Sequence, residues 1–166
     1  MRQTLISCLV VLFTSTSVFC GEFEETLKRA KEGNVSAQYS LGYTYYKGQG
    51  VPQDYKKAFK WFKKVAEQGY TDAQYNLGFM YGIGRGVSQD YQKAFLWSKK
   101  AADQGHAGAQ SFLGILYHNG DGVPQDYKKA MNWYKKAAEQ GETTAQNDLG
   151  DMYKQEQGTP QDYKKA

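Results

Sequence analysis

The 166-residue sequence predicts an all-α fold, an α/α superhelical solenoid of antiparallel helix pairs, and three observations carry that reading. The phrase Gly-Val-Pro-Gln-Asp-Tyr-Lys-Lys-Ala at 50–58 returns at 86–94 and 122–130 with small changes, and in degraded form at 158–166. The chain therefore repeats every 36 residues without an insertion, the mark of stacked units that bury one another's apolar faces. Within each period apolar residues recur at three- and four-residue spacing, which selects helix over strand. Glycine-rich links then separate one apolar stripe from the next and permit the reversals between helices.

The N-terminus reads differently from the rest. Arg2 precedes the short apolar run Leu5 to Phe13, and small polar residues follow. This order predicts a signal peptide over 1–20, too short for a membrane span of roughly 20 apolar residues. The protein is accordingly expected to be secreted or periplasmic. A lipidated Cys20 is the rival, opposed by the bulky Phe19 before it. Cleavage after Cys20 removes both Cys8 and Cys20, so the mature fold is expected to hold by packing without a disulfide. Residues 21–36 are expected to form an N-terminal capping helix.

The repeats are set at 37–72, 73–108 and 109–144, with a partial copy at 145–166. Each opens on alanine and glutamine and carries Leu-Gly at its fifth and sixth places, from Leu41-Gly42 to Leu149-Gly150. Ser36, Asp72, Gly108 and Thr144 stand where a helix N-cap is needed. The stripe Ala37, Leu41, Tyr45 predicts the buried side of a first helix, and Ala73-Leu77-Met80-Tyr81, Ala109-Leu113-Leu116-Tyr117 and Ala145-Leu149-Met152-Tyr153 repeat it. The glycine at the sixth place weakens the helix by roughly 1 kcal/mol unless a neighbour must approach its backbone.

Gly48-Gln49-Gly50 and its copies end this helix as a tight link. A glycine pair can also cradle phosphate, but no strand precedes it and it recurs in every repeat. Asp54, Asp90 and Asp126 then cap a second helix, whose predicted buried side is Ala58, Trp61, Phe62, Val65 and Ala66 and its copies. Gly69, Gly105 and Gly141 close it. The lysines at 56, 57, 60, 63 and 64 fall on the other side as a solvated face.

This pattern, Ala-x-x-x-Leu-Gly-x-x-Tyr followed by Gly-x-Gly-Val-x-x-Asp-x-x-Lys-Ala, Trp, Ala-Ala and Gly, resembles the Sel1-like repeat (SLR), a relative of the tetratricopeptide repeat. The resemblance covers 37–144 as whole repeats and implies paired helices in a right-handed superhelix that serve as adaptors between proteins. It departs at the C-terminus, where Glu156 and Thr159 replace glycine and valine and the sequence reaches Ala166 as a second helix begins. The reading allows truncation there, or self-association through the incomplete repeat.

On a helical wheel, places three, seven and ten of the first helix point away from the core. They hold Tyr39, Tyr43 and Tyr46; Tyr75, Phe79 and Gly82; Ser111, Ile115 and His118; Asn147, Asp151 and Lys154. Core places barely change between copies whereas these change freely, as a ligand surface would. The expected binding residues are Tyr39, Tyr43, Tyr46, Tyr75, Phe79, Ser111, Ile115 and His118, and the expected partner is an extended peptide or a helix. Packing of these rings against the next repeat is the alternative.

Other function classes have less support. Cysteine-rich relatives imply a β-lactamase-like or penicillin-binding hydrolase, yet Ser-x-x-Lys occurs nowhere in this sequence,. His106 and His118 lie in different segments with no cysteine to join them, so no metal or other cofactor is expected. His106 is expected in a loop. The formal net charge of +4 comes from lysines in the repeated phrase, not from a nucleic-acid recognition motif,. No membrane span is expected in the mature chain.

Overall fold

The computed structural model describes residues 21–155 and 157; the leader expected at 1–20 and the degraded phrase at 158–166 lie outside the described residues. Among the described residues there are eight helices and no strand. They are α1 (21–31), α2 (Val35–Lys47), α3 (Tyr55–Ala66), α4 (Thr71–Ile83), α5 (Tyr91–Asp103), α6 (Ala107–Asn119), α7 (Tyr127–Glu139) and α8 (Thr143–Lys154). The even-numbered helices are the first helices of successive repeats.

Two compact units divide the chain, residues 1–65 and residues 66–166. In the first, Ala30, Ala37 and Leu41 are buried together, with Phe23, Leu27 and Trp61 half-buried against them. In the second, α4 packs on α5, α5 on α6, α6 on α7 and α7 on α8. One of its clusters joins Ala101, Ala102, Ala109, Leu113 and Leu116; another joins Ala130, Met131, Tyr134, Ala137, Ala145 and Met152. Each such leucine or aromatic ring taken fully out of water contributes about 1.5–3 kcal/mol.

The first helices start two residues earlier than expected. Their N-caps are Asn34, Tyr70, His106 and Glu142, so Ser36, Asp72, Gly108 and Thr144 lie inside the first turn. Asn34 Oδ1, His106 Nδ1 and Glu142 Oε2 each accept a hydrogen bond from the backbone N–H three residues on, at 2.9, 3.1 and 2.7 Å. His106 is therefore a cap and not a free loop residue. Asp54, Asp90 and Asp126 cap the second helices as expected, accepting from Lys57, Lys93 and Lys129 N–H. Gly48, Gly84 and Gly120 end α2, α4 and α6 at φ 70°, 67° and 80°, a left-handed geometry that glycine adopts without a Cβ clash.

The tryptophans depart from the expected core. Trp61, Trp97 and Trp133 are half-buried, with Lys64, Lys100 and Lys136 ammonium groups 5.7, 4.3 and 4.5 Å from their ring centres. Each ammonium thus stands within cation–π reach of a ring that is partly open to water. Tyr153, expected in the stripe, is 49% exposed.

Glycine at the sixth place marks close helix contact. A Cβ on Gly42 would stand 2.7 Å from the Phe62 ring, and one on Gly114 would stand 2.5 Å from Tyr134. At Gly78 it would strike Ser98 Oγ and lie 2.9 Å from Ser98 N and 3.1 Å from the Ala94 carbonyl oxygen. Small Ser98 thus lets α5 bring backbone where other repeats bring a ring. Ser98 Oγ is buried and has no hydrogen-bond partner.

The glutamine after each opening alanine proves to be structural. Gln38, Gln74 and Gln110 are buried, and they donate to the carbonyls of Ala30, Ala66 and Ala102 at 3.0, 3.3 and 3.3 Å. Gln146 donates to Ala138 in the same way at 3.3 Å. These carbonyls end a preceding helix, where each also accepts from the backbone N–H of Gly33, Gly69, Gly105 or Gly141, so the glutamine fills a second acceptor position. Gln104 and Gln140 complete the arrangement by donating to Gln74 and Gln110 Oε1, both at 2.7 Å.

Candidate functional site

In residues 1–65, the Tyr39 ring lies 5.6 Å from Phe62, and the Tyr46 ring lies 5.3 Å from Tyr55 and 6.4 Å from Phe62. Both tyrosines are half-buried, so packing inside their own repeat accounts for part of each ring. Tyr43 is different. It is 42% exposed, and Lys47 Nζ stands 5.7 Å from its ring centre and 5.9 Å from that of Tyr46. The result is an exposed aromatic surface beside a cation.

In residues 66–166, Tyr75 stacks on His106 at 4.5 Å and lies 6.2 Å from Phe79. Phe79 meets Phe112 edge to face at 5.7 Å, which joins α4 to α6. These rings are half-buried, and the Phe79–Phe112 contact carries the row from one repeat to the next. Ser111 needs correction. It is only 4% exposed, because its place on α6 turns into the helix contact, and it presents no surface to a partner. Phe112, its neighbour, supplies the ring that the wheel assigned to another side.

Ile115 and His118 line a cavity of about 360 Å³ that Tyr134, Asp148, Asp151 and Met152 also line. His118 Nδ1 is 3.1 Å from Asn119 Oδ1, and Nε2 is 2.9 Å from Gln157 Oε1. The buried Tyr134 hydroxyl donates to the Asp148 carboxylate. Burial holds Asp148 above the usual carboxylate range; the Tyr134 bond and His118 oppose this, while Asp151 and Glu142 add to it,. Burial likewise raises Tyr134, reinforced by the Asp148 charge. Asp151 is bridged at 3.0 Å by the exposed Lys154.

Sequence reasoning placed Tyr134 on the buried side of its helix, where it is found, but missed Phe112 and Asp148. A signal was present in the copies, since the place of Phe112 one period later holds Asp148, and Gly82 is likewise replaced by His118. Among the described residues no group of three or more His, Cys, Asp or Glu is placed to hold a metal ion, and no helix is long and apolar enough to cross a membrane.

The helix pairs and their links match the Sel1 repeat at residues 35–70, 71–106, 107–142 and 143–166. The chain belongs to the Sel1-repeat family. Its frame begins where α2, α4, α6 and α8 begin. Sel1 repeats generally serve as protein-interaction scaffolds.

A protective antigen present in uropathogenic Escherichia coli strains, described as displaying an SLR fold, is similar over 80% of this chain at 45% identity and TM-score 0.77. A Sel1 repeat protein from Oxalobacter formigenes is similar over 83% at 35% identity and TM-score 0.79. This Sel1-repeat chain spans 28% of the first protein and 55% of the second. Helicobacter pylori cysteine rich protein B shares the fold at 22% identity and TM-score 0.61, over 76% of this chain and 96% of its own. No curated protein sequence matches the chain.

Proposed function

We propose that this Sel1-repeat chain is a protein-interaction scaffold that holds a peptide or helix of a partner on the outward face of its first helices. The observation that carries the reading is the half-buried aromatic row Tyr75, Phe79 and Phe112. Within the first unit, Tyr43 is separately exposed on α2. Half-buried rings are suited to binding because packing already fixes their rotamers, so little side-chain entropy is lost when a partner covers them. Residues 1–20 are proposed to direct the protein to the periplasm or beyond, which a fusion of that segment to a periplasm-dependent reporter tests.

The binding test compares the immobilised wild-type chain with a Tyr43→Ser, Tyr75→Ser variant, identifying by mass spectrometry what each retains from an envelope extract. Tyr43 stands outside the buried clusters, and Tyr75 packs against the rim of one without being a buried member of it, so helicity by circular dichroism is expected to match wild type. A saturable partner held by wild type and lost from the variant supports the scaffold. Equal retention by a folded variant overturns the assignment of this face.

A further inference from the structure

The repeats fill the space between successive first helices in two different ways. Between α4 and α6, Phe112 closes the gap beside Gly82, where even a Cβ would stand 2.7 Å from the ring. One period later the aromatic ring has become Asp148, the glycine has become His118, and Ser98 has become Tyr134. The plug is gone, and a cavity of about 360 Å³ stands between α6 and α8. That volume is within the range of side-chain and small-ligand pockets.

We infer that this cavity receives the lysine or arginine side chain of a partner polypeptide, with Asp148 as its inner anionic contact. This rests on the scaffold reading and gives its ligand a chemistry. Ile115 and the buried Met152 offer apolar wall to a methylene stem, which suits the amphipathic build of both side chains. The carboxylates of Asp148 and Asp151 offer acceptors to the charged end, and among the described residues no lysine or arginine lines the cavity. Burial raises the pKa of Asp148, and the charges of Asp151 and Glu142 add to it, so an incoming cation relieves repulsion already present. The Lys154 pair on Asp151 is exposed on both sides and is weak competition. Among the described residues no group of three or more His, Cys, Asp or Glu is placed to hold a metal ion, which favours an organic cation.

The test titrates the full chain with N-acetyl-lysine methylamide and N-acetyl-arginine methylamide, with N-acetyl-norleucine methylamide as the uncharged control. Saturable NMR shifts of the Ile115 and Met152 methyls and the His118 ring are expected with both cations and not with norleucine. Asp148→Asn, which keeps the shape, is expected to weaken binding by at least about tenfold. The His118→Gly, Asp148→Phe double variant rebuilds the upstream plug and is expected to fold and to bind neither cation. Equal shifts with norleucine, no saturation in wild type, or an unchanged Asp148→Asn affinity overturn the inference. A partner lost with Tyr43→Ser, Tyr75→Ser but indifferent to Asp148→Asn also overturns it while sparing the scaffold; lysine binding without any retained partner does the reverse.

Discussion

Replacing Gly150 by alanine is expected to stabilise the protein, and the same replacement at Gly78, at the equivalent place two repeats earlier, is expected to destabilise it. Both are helix-interior glycines, so alanine offers each helix about 1 kcal/mol through reduced backbone entropy and better helix propensity. At Gly150 nothing among the described residues lies within 4 Å of the new Cβ, and that gain is kept. It corresponds to a rise in Tm of about 2–4 °C for a chain of this size. At Gly78 the Cβ meets Ser98 Oγ, Ser98 N at 2.9 Å and the Ala94 carbonyl oxygen at 3.1 Å. Two of these are backbone atoms of α5, which cannot rotate away. Overpacking of this kind costs about 1–3 kcal/mol, so the net change is a loss of up to about 2 kcal/mol. Gly42 and Gly114 face the movable rings of Phe62 and Tyr134 and are expected to fall between the two. Thermal and urea unfolding followed by circular dichroism rank the four variants. A Gly78→Ala protein as stable as Gly150→Ala would refute the claim that backbone proximity, rather than helix propensity, keeps glycine at this place.

Three further outcomes are expected. Ser98→Ala removes a buried hydroxyl that has no partner and should raise stability by about 1 kcal/mol, read as a higher urea midpoint at unchanged slope. The backbone hydrogen bond from Lys57 lowers Asp54, Asp126 is lowered in the same way through Lys129, and side-chain and backbone bonds from Lys93 lower Asp90. Their folded pKa values lie below the unfolded ones, so their stabilisation is present above the usual Asp range and is lost as pH falls through the folded values. Asp90→Asn should therefore flatten the acid limb of a Tm-against-pH curve, and an unchanged limb would count against the caps as its source. Asp148 has the opposite sign: its folded pKa is raised, so stability falls as pH rises from the unfolded to the folded value. Asp148→Asn should raise Tm at neutral pH, and that advantage should vanish in acid.

The helices and their buried stripes were legible because the repeat prints each apolar place several times, so a chance residue in one copy is corrected by the others. Cap positions were less legible. Ser36, Asp72 and Thr144 are good capping types that stand only two residues inside the actual caps, whereas Tyr70 and His106 are unusual cap residues that composition does not favour. The buried glutamines escaped notice because their burial depends on a carbonyl eight residues back, a relation that polarity alone opposes. Tryptophan depth escaped for the opposite reason: an apolar type at core spacing stays half-buried, with a lysine ammonium group beside each ring. On the outward face the wheel placed Tyr43 correctly on the surface but put the buried Ser111 there too, since a wheel carries no information about how closely the next helix approaches. The cavity became visible only when corresponding residues of two repeats were set against each other, because it arises from one ring and one glycine exchanged for an acid and an imidazole.

The glutamine contact has a consequence for how such chains lengthen. Each glutamine takes as its acceptor a main-chain carbonyl, a group every residue type supplies. The junction therefore makes no demand on the side chains of the preceding unit at that point. A duplicated 36-residue segment arrives with its donor already in place and finds its acceptor waiting, so copy number can change without a matching substitution in the neighbour. Outward residues such as Phe112 and Asp148 are then free to diverge after duplication, and ancestry by copying and novelty by point change occupy separate sides of the same helix.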